Sequence, residues 1–142
     1  MGGHCRALVV VCIDYRFRSA IRDFLISNDL KGDYDMVSLA GATKDLVEND
    51  QHGKPLILKQ IDIANRLHSV DQLYIIHHMD CGAYGGHDAF DDIEAEKKKQ
   101  IDDMVIAEKL VKTDFPNIEI KKVLARIENI DGKDVIDFEV IS

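Results

Sequence analysis

Two continuous apolar runs dominate the pattern of the chain. Residues 7–13 (Ala-Leu-Val-Val-Val-Cys-Ile) are rich in β-branched side chains, as a central strand covered on both faces would be. Gln72 to His77 reads as a second buried strand, and Asp35 to Leu39 as a shorter one. From Arg18 to Leu30, Ala20, Ile21, Phe24 and Leu25 recur at helical spacing, and residues 28–32 supply a stop. Thr43 to Asn49 predicts a short helix. A polar loop then runs to Pro55, which fits the first turn of a helix ending near His68, with Leu58, Ile61, Ile63, Ala64 and Leu67 as its buried positions. Asp88 to about Lys112 predicts a long helix with acids early and lysines late, the polarity its macrodipole favours. Phe115-Pro116-Asn117 ends it. Ile118–Ile127 and Lys133–Ile141 predict two strands around Asn129-Ile130-Asp131-Gly132, a hairpin signal.

Strands alternate with helices until the final hairpin. The expected fold is therefore α/β: a doubly wound, mostly parallel sheet of about five strands with an antiparallel C-terminal edge hairpin. At 142 residues the chain fits a single domain, 1–142. In such a sheet the first strand has the second on one side and the third on the other. A ligand then belongs at the switch point between the carboxyl ends of strands one and three.

Charge narrows the partners. The formal net charge of −8 disfavours non-specific binding to nucleic acid or to an anionic membrane. No run reaches the roughly 18 apolar residues of a spanning helix. Met1-Gly2-Gly3-His4 lacks the basic-then-apolar design of a secretion signal. Three cysteines, an odd number, suit a reducing compartment, so a soluble cytoplasmic protein is expected.

The chemistry gathers at the two strand ends just named. Zn²⁺ takes thiolates and neutral imidazole in tetrahedral geometry, and catalytic sites leave one position for water. His78 and Cys81 are three apart, so one turn of backbone can aim both at one ion, and Cys12 can add a third ligand from the neighbouring strand. Cys12 and Asp14 share a face of an extended segment, which Arg16 continues, and Arg16 would keep Asp14 ionised. By spacing alone, a buried cysteine acting as a small hydrophobe is an equal reading.

Cys12-x-Asp14-x-Arg16 followed by His78-x-x-Cys81-Gly82 resembles the signature of the β-class carbonic anhydrases, as a small, divergent member. The resemblance spans roughly residues 7–86. It implies Zn²⁺ on Cys12, His78 and Cys81, with Asp14 and Arg16 as the catalytic pair. Ala40-Gly41 matches the last two residues of a further family segment, Arg-Asn-Ala-Gly, and Gly41, Gly82 and Tyr15 are the expected substrate-binding positions. Two departures stand out: Tyr15 where the family commonly has Ser, and Ser38-Leu39 where it has Arg-Asn. The implied reaction is reversible hydration of carbon dioxide to bicarbonate by a zinc-bound hydroxide, in a homodimer or higher homo-oligomer. In some members the aspartate instead ligates zinc and closes the site.

Alternatives accompany these assignments. His77 is a rival to His78 as ligand, although spacing and the family pattern favour His78. Asp80 is either an acceptor behind the site or a solvated loop residue, with the second preferred. Gly82, Gly85 and Gly86 either present N–H groups to an anion or permit a tight turn. Tyr84 either lines the pocket or packs. His4, His52, His68 and His87 read as surface residues, Cys5 as a strand-edge thiol, and Glu94 to Lys99 as a solvated helix face. Competing functions are a non-catalytic zinc-binding or regulatory module, and a hydrolase of carbonyl sulfide or carbon disulfide. Thiol redox chemistry is weakest, because there is no Cys-x-x-Cys.

Overall fold

The apolar runs become the middle of one five-stranded sheet in the computed structural model, which describes residues 2–142. Met1, the first residue of the start read above, lies outside them. The strands are β1 (Ala7–Val11), β2 (Tyr34–Ser38), β3 (Gln72–His78), β4 (Glu119–Ile130) and β5 (Lys133–Ile141). Their order is β2-β1-β3-β4-β5, parallel except for the β4–β5 hairpin. The expected fold and switch point are both present. β1 pairs with β3 from Ala7 opposite Gln72 to Val11 opposite Ile76, so the two strands end side by side.

Alternation along these strands feeds two cores. Leu8, Val10, Leu73 and Ile75 point to one face, where α2 (Lys44–Val47), α3 (Gly53–His68) and α4 (Ile93–Asp114) cover them. Ala7, Val9, Val11, Tyr74 and Ile76 point to the other, against Phe17 and against Ile21 and Leu25 of α1 (Arg18–Ser27). β1 is buried at every position because both faces are covered. No helix among the described residues is long and apolar enough to cross a membrane.

Several boundaries differ from the expectation. β1 stops at Val11, so Cys12 and Ile13 lie beyond it, and Ile13 is 59% exposed. β3 extends one residue further, to His78. β4 runs to Ile130, because only Asp131 and Gly132 turn the hairpin, with φ of 50° and 80°. α4 begins at Ile93 rather than Asp88: Asp92 caps it by accepting from the Ala95 N–H at 2.7 Å, and His87–Ala89 form a separate 3₁₀ turn. In α3 the buried residues are Gly53, Ile57, Ile61 and Ala64, whereas Leu58 and Ile63 are half-buried and Leu67 is exposed.

Gly53 sits where α3 crosses α2. A Cβ there would lie 2.3 Å from Asp45 Cβ, too close to the backbone to be relieved by a side-chain rotation. Gly53→Ala is therefore expected to destabilise the fold by about 1–3 kcal/mol in urea denaturation, as overpacking does. A change within about 0.5 kcal/mol, the range of neutral surface substitutions, would show that the close approach is not a constraint.

Candidate metal centre

Beyond Val11 and His78 the backbone must leave the sheet, and both departures bring polar side chains inward. Cys12, His78 and Cys81 are all buried, and one donor atom from each lies within 4.8 Å of the other two. Cys12 Sγ and Cys81 Sγ are 3.9 Å apart. His77 is not part of this trio. Fully buried, it sits between Thr43 Oγ1 at 2.6 Å from Nε2 and Gln100 Oε1 at 2.7 Å from Nδ1. Burial holds its pKa down to about 4, so it stays neutral.

The donor set fits a metal ion. His78 Nδ1–H donates to the Met79 carbonyl at 2.7 Å, which fixes the tautomer and leaves Nε2 as an acceptor. Nε2 is buried without a hydrogen-bond partner among the described residues. Phe17 packs on the imidazole with ring centroids 4.2 Å apart, holding it in place. Donation from Cys81 lowers the Cys12 pKa most, against the opposing effect of burial, and His78 and the Gly41 and Asp14 N–H groups lower it further. The same hydrogen bond, with burial, raises Cys81. Metal-free, the shared hydrogen bond thus pulls the two thiols' pKa values in opposite directions. A dication between them would let both exist as thiolates.

Gly41 approaches the trio through its backbone. Its φ is +78°, its N–H points at Cys12 Sγ at 3.4 Å, and a Cβ would meet Lys44 Cβ at 2.8 Å and Ala83 Cβ at 3.1 Å. Only glycine lets the loop after β2 come this close.

Asp14 and Arg16 do meet, though not along an extended segment. Tyr15–Phe17 form a 3₁₀ turn that Asp14 caps by accepting from the Arg16 N–H at 3.0 Å. The turn folds the guanidinium back onto the carboxylate: Arg16 Nη2 is 2.7 Å from Asp14 Oδ2 and Nε is 3.1 Å from Oδ1. These bonds hold Asp14 below the usual carboxylate range despite partial burial. Asp14 Oδ2 stands 3.8 Å from His78 Nε2.

Asp80 is not a solvated loop residue. Held at a φ of +57°, it accepts from Arg16 Nη1 at 3.1 Å and from the His87 N–H at 2.8 Å. Its carbonyl accepts from Arg16 Nη2 at 3.0 Å. Its own N–H donates to Glu96 Oε2 at 2.6 Å, and Glu96 Oε1 is 2.5 Å from His87 Nδ1. Glu96, 1% exposed, overturns the reading of Glu94 to Lys99 as a wholly solvated face, and it removes His87 from the plain surface residues. A usable signal was present. Glu96, Gln100 and Asp103 continue the helical spacing of buried Ala107 and Val111, so the buried stripe of α4 turns polar beside the site. Tyr84, also half-buried, donates to Asp103 at 2.7 Å.

The glycine loop serves its own turn. Gly85 N–H donates to the Gly82 carbonyl at 3.0 Å and Gly86 N–H to the Cys81 carbonyl at 2.9 Å, so neither is left for an anion. A cavity of about 730 Å³ adjoins the trio at Cys12, with Asp14, Arg16, Asp80 and Gly82 in its wall. Tyr15 lines its rim at 85% exposure and does not fill it. Where the family carries Arg-Asn, Ser38 accepts from Arg18 at 2.8 Å and donates to the Cys12 carbonyl at 3.3 Å. Arg18, which the sequence reading passed over, also reaches that carbonyl at 3.3 Å.

Comparison with known proteins bears on the fold and the family. A β-carbonic anhydrase, CcaA, has a solved structure that superposes with a TM-score of 0.63, covering 99% of this chain and 79% of that one at 14% identity. Two proteins described only as uncharacterized are similar in sequence. The one from Rickettsia bellii is 28% identical over 87% of this chain and 77% of its own, and the one from Rickettsia conorii is 27% identical over 87% and 68%. The family model described as "Putative carbonic anhydrase" matches residues 3–129, so the chain belongs to that carbonic anhydrase-like family.

Proposed function

We propose that the chain is a single zinc-binding α/β domain that reversibly hydrates carbon dioxide to bicarbonate, a carbonate dehydratase. The observation that carries this reading is the unpartnered, buried Nε2 of His78 beside two buried thiols. Cys12, His78 and Cys81 would hold Zn²⁺. Bound there, the ion supplies acidification of water, toward a pKa of about 7.

The remaining work falls to the chain's own side chains. Arg16 spans Asp14 and Asp80, so its charge keeps Asp14 ionised and its position fixed. Asp14 keeps acceptor capacity toward the cavity, where it orients a water by accepting its hydrogen. Its engagement by Arg16 supports an open arrangement over one in which Asp14 serves as a metal ligand. Gly82 in the cavity wall leaves room for the small substrate, and Tyr15 narrows the rim. Glu96 and His87 hold Asp80 from behind, which makes them positioning residues for Arg16.

Exposed Ile13 and Tyr15 at the mouth support a homodimer built over this face, and free buried thiols support a reducing, cytoplasmic setting. Light scattering is expected to give twice the 16.0 kDa chain mass at micromolar concentration, and a monomer mass throughout would overturn the dimer.

Protein purified without added metal is expected to carry zinc, lost from Cys12→Ser and Cys81→Ser together with stability, since binding energy is also folding energy. Stopped-flow hydration should be zinc-dependent and rise with pH through neutrality. Asp14→Ala and Arg16→Ala should lower it roughly 10²–10⁴-fold with zinc retained, the scale of a lost proton-handling group. Zinc-loaded wild type with no hydration above buffer from pH 7 to 9 would sink the enzyme reading.

The support behind Asp80 has its own measurement. Glu96→Ala strips partners from the Asp80 N–H and from His87, at a cost of about 1–3 kcal/mol in urea unfolding. Hydration should fall while zinc content stays at the wild-type level. Unchanged stability and rate would remove Glu96 from the site's support.

A further inference from the structure

A second trio of metal-ligating groups lies at the opposite end of the sheet. Cys5 precedes β1, Asp35 belongs to β2, and His68 ends α3. One donor atom from each falls within 4.8 Å of the other two. Backbone bonds fix the segments that carry them. The Cys5 N–H donates to the His68 carbonyl at 3.0 Å, the Arg6 N–H to the Asp33 carbonyl at 3.2 Å, and Leu8 stands opposite Asp35 in the β1–β2 register. Asp35 Oδ2 and His68 Nδ1 are 2.6 Å apart. A cavity of about 250 Å³ adjoins them, with Asp35 and His68 in its wall beside Leu8, Val37, Ile63 and Ala64.

We propose that Cys5, Asp35 and His68 form a second Zn²⁺ site, separate from Cys12, His78 and Cys81, with its remaining position open to this cavity and to solvent. A thiolate, a carboxylate and a neutral imidazole together balance a dication, and the mixed sulfur, oxygen and nitrogen set suits zinc. All three residues are half-buried, so the ion has an entry path and room for water. In the metal-free protein, burial and the charges of Asp35 and Asp33 raise the Cys5 thiol. Loading displaces the Cys5 proton. The same cluster without an ion is a carboxylate–imidazole hydrogen bond beside a free thiol, and stoichiometry separates the two states.

Zinc bound per chain after saturation and gel filtration is the measurement. Wild type is expected to retain two equivalents, and Cys5→Ser and His68→Ala one each. Co²⁺ added to the Cys12→Ser/Cys81→Ser protein should give a near-ultraviolet thiolate-to-cobalt band that vanishes when Cys5→Ser is added. If that double variant does not fold, wild type against Cys5→Ser decides alone. Equal zinc in those two overturns the second site, whatever the total. A single equivalent that disappears with Cys5→Ser supports the second site and removes the first instead.

Discussion

The parallel pairing of β1 with β3 is the constraint on which the rest depends. Val11 opposite Ile76 is the last pair, and the backbone beyond it has no continuing ladder between these two strands. Helices α1 and α4, which follow β1 and β3, lie on opposite faces, so the connections after the two strands diverge and leave a crevice. Cys12 is the first residue past one strand, while His78 and Cys81 bracket the turn after the other. Their convergence is a property of register. A one-residue slip of β3 would turn His77, now bonded to Thr43 and Gln100, toward the place of His78.

Charge balance explains how the loops stay in place. Asp14 and Asp80 come from different connections, and both lean on Arg16, the cation that ties the two sides of the crevice together. Asp80 is pulled below the usual carboxylate range because the His87 N–H and Arg16 outweigh its partial burial. Behind it, Glu96 accepts from a backbone N–H and faces an imidazole, so the buried carboxylate has partners for both oxygens. The thiols have no comparable protein cation: Arg16 is fully taken up by the carboxylates. A site with two sulfurs, an idle imidazole nitrogen and a committed arginine is incomplete electrostatically without a metal.

The sheet was legible because burial on both faces leaves a local mark, the unbroken apolar run. Its order followed from the alternation of strands and helices. What local pattern could not mark was the burial of polar groups by distant partners. Helical spacing places Glu96 on the face of Ala107 and Val111, but among its exposed neighbours Glu94, Ala95 and Lys98 nothing identifies Asp80 and His87 as the partners that cover it. The start of α4 was misplaced for a related reason: Asp88, Asp91 and Asp92 are all plausible caps by residue type, and only the path of the loop selects Asp92. Leu67 is exposed because it falls beside, not on, the helical stripe that Gly53, Ile57, Ile61 and Ala64 share. The pairing of Asp14 with Arg16 was legible as a pair, but its cause is the 3₁₀ turn rather than a shared strand face.

The two ends of the β1–β2 pair also show why similar donors read so differently. Cys12 and Cys5 each flank β1, and each approaches a histidine from another segment. At the carboxyl end the donors are fully buried, a second thiol is present, and the imidazole's free nitrogen has no partner, so a metal-free state leaves polar groups unsatisfied. At the amino end Asp35 already satisfies His68 and water reaches all three side chains. The protein can therefore tolerate an empty amino-end cluster at little cost, whereas at the carboxyl end an empty trio leaves His78 Nε2 buried without a partner. Metal binding at the carboxyl end would therefore be linked to the fold, and at the amino end to the supply of metal.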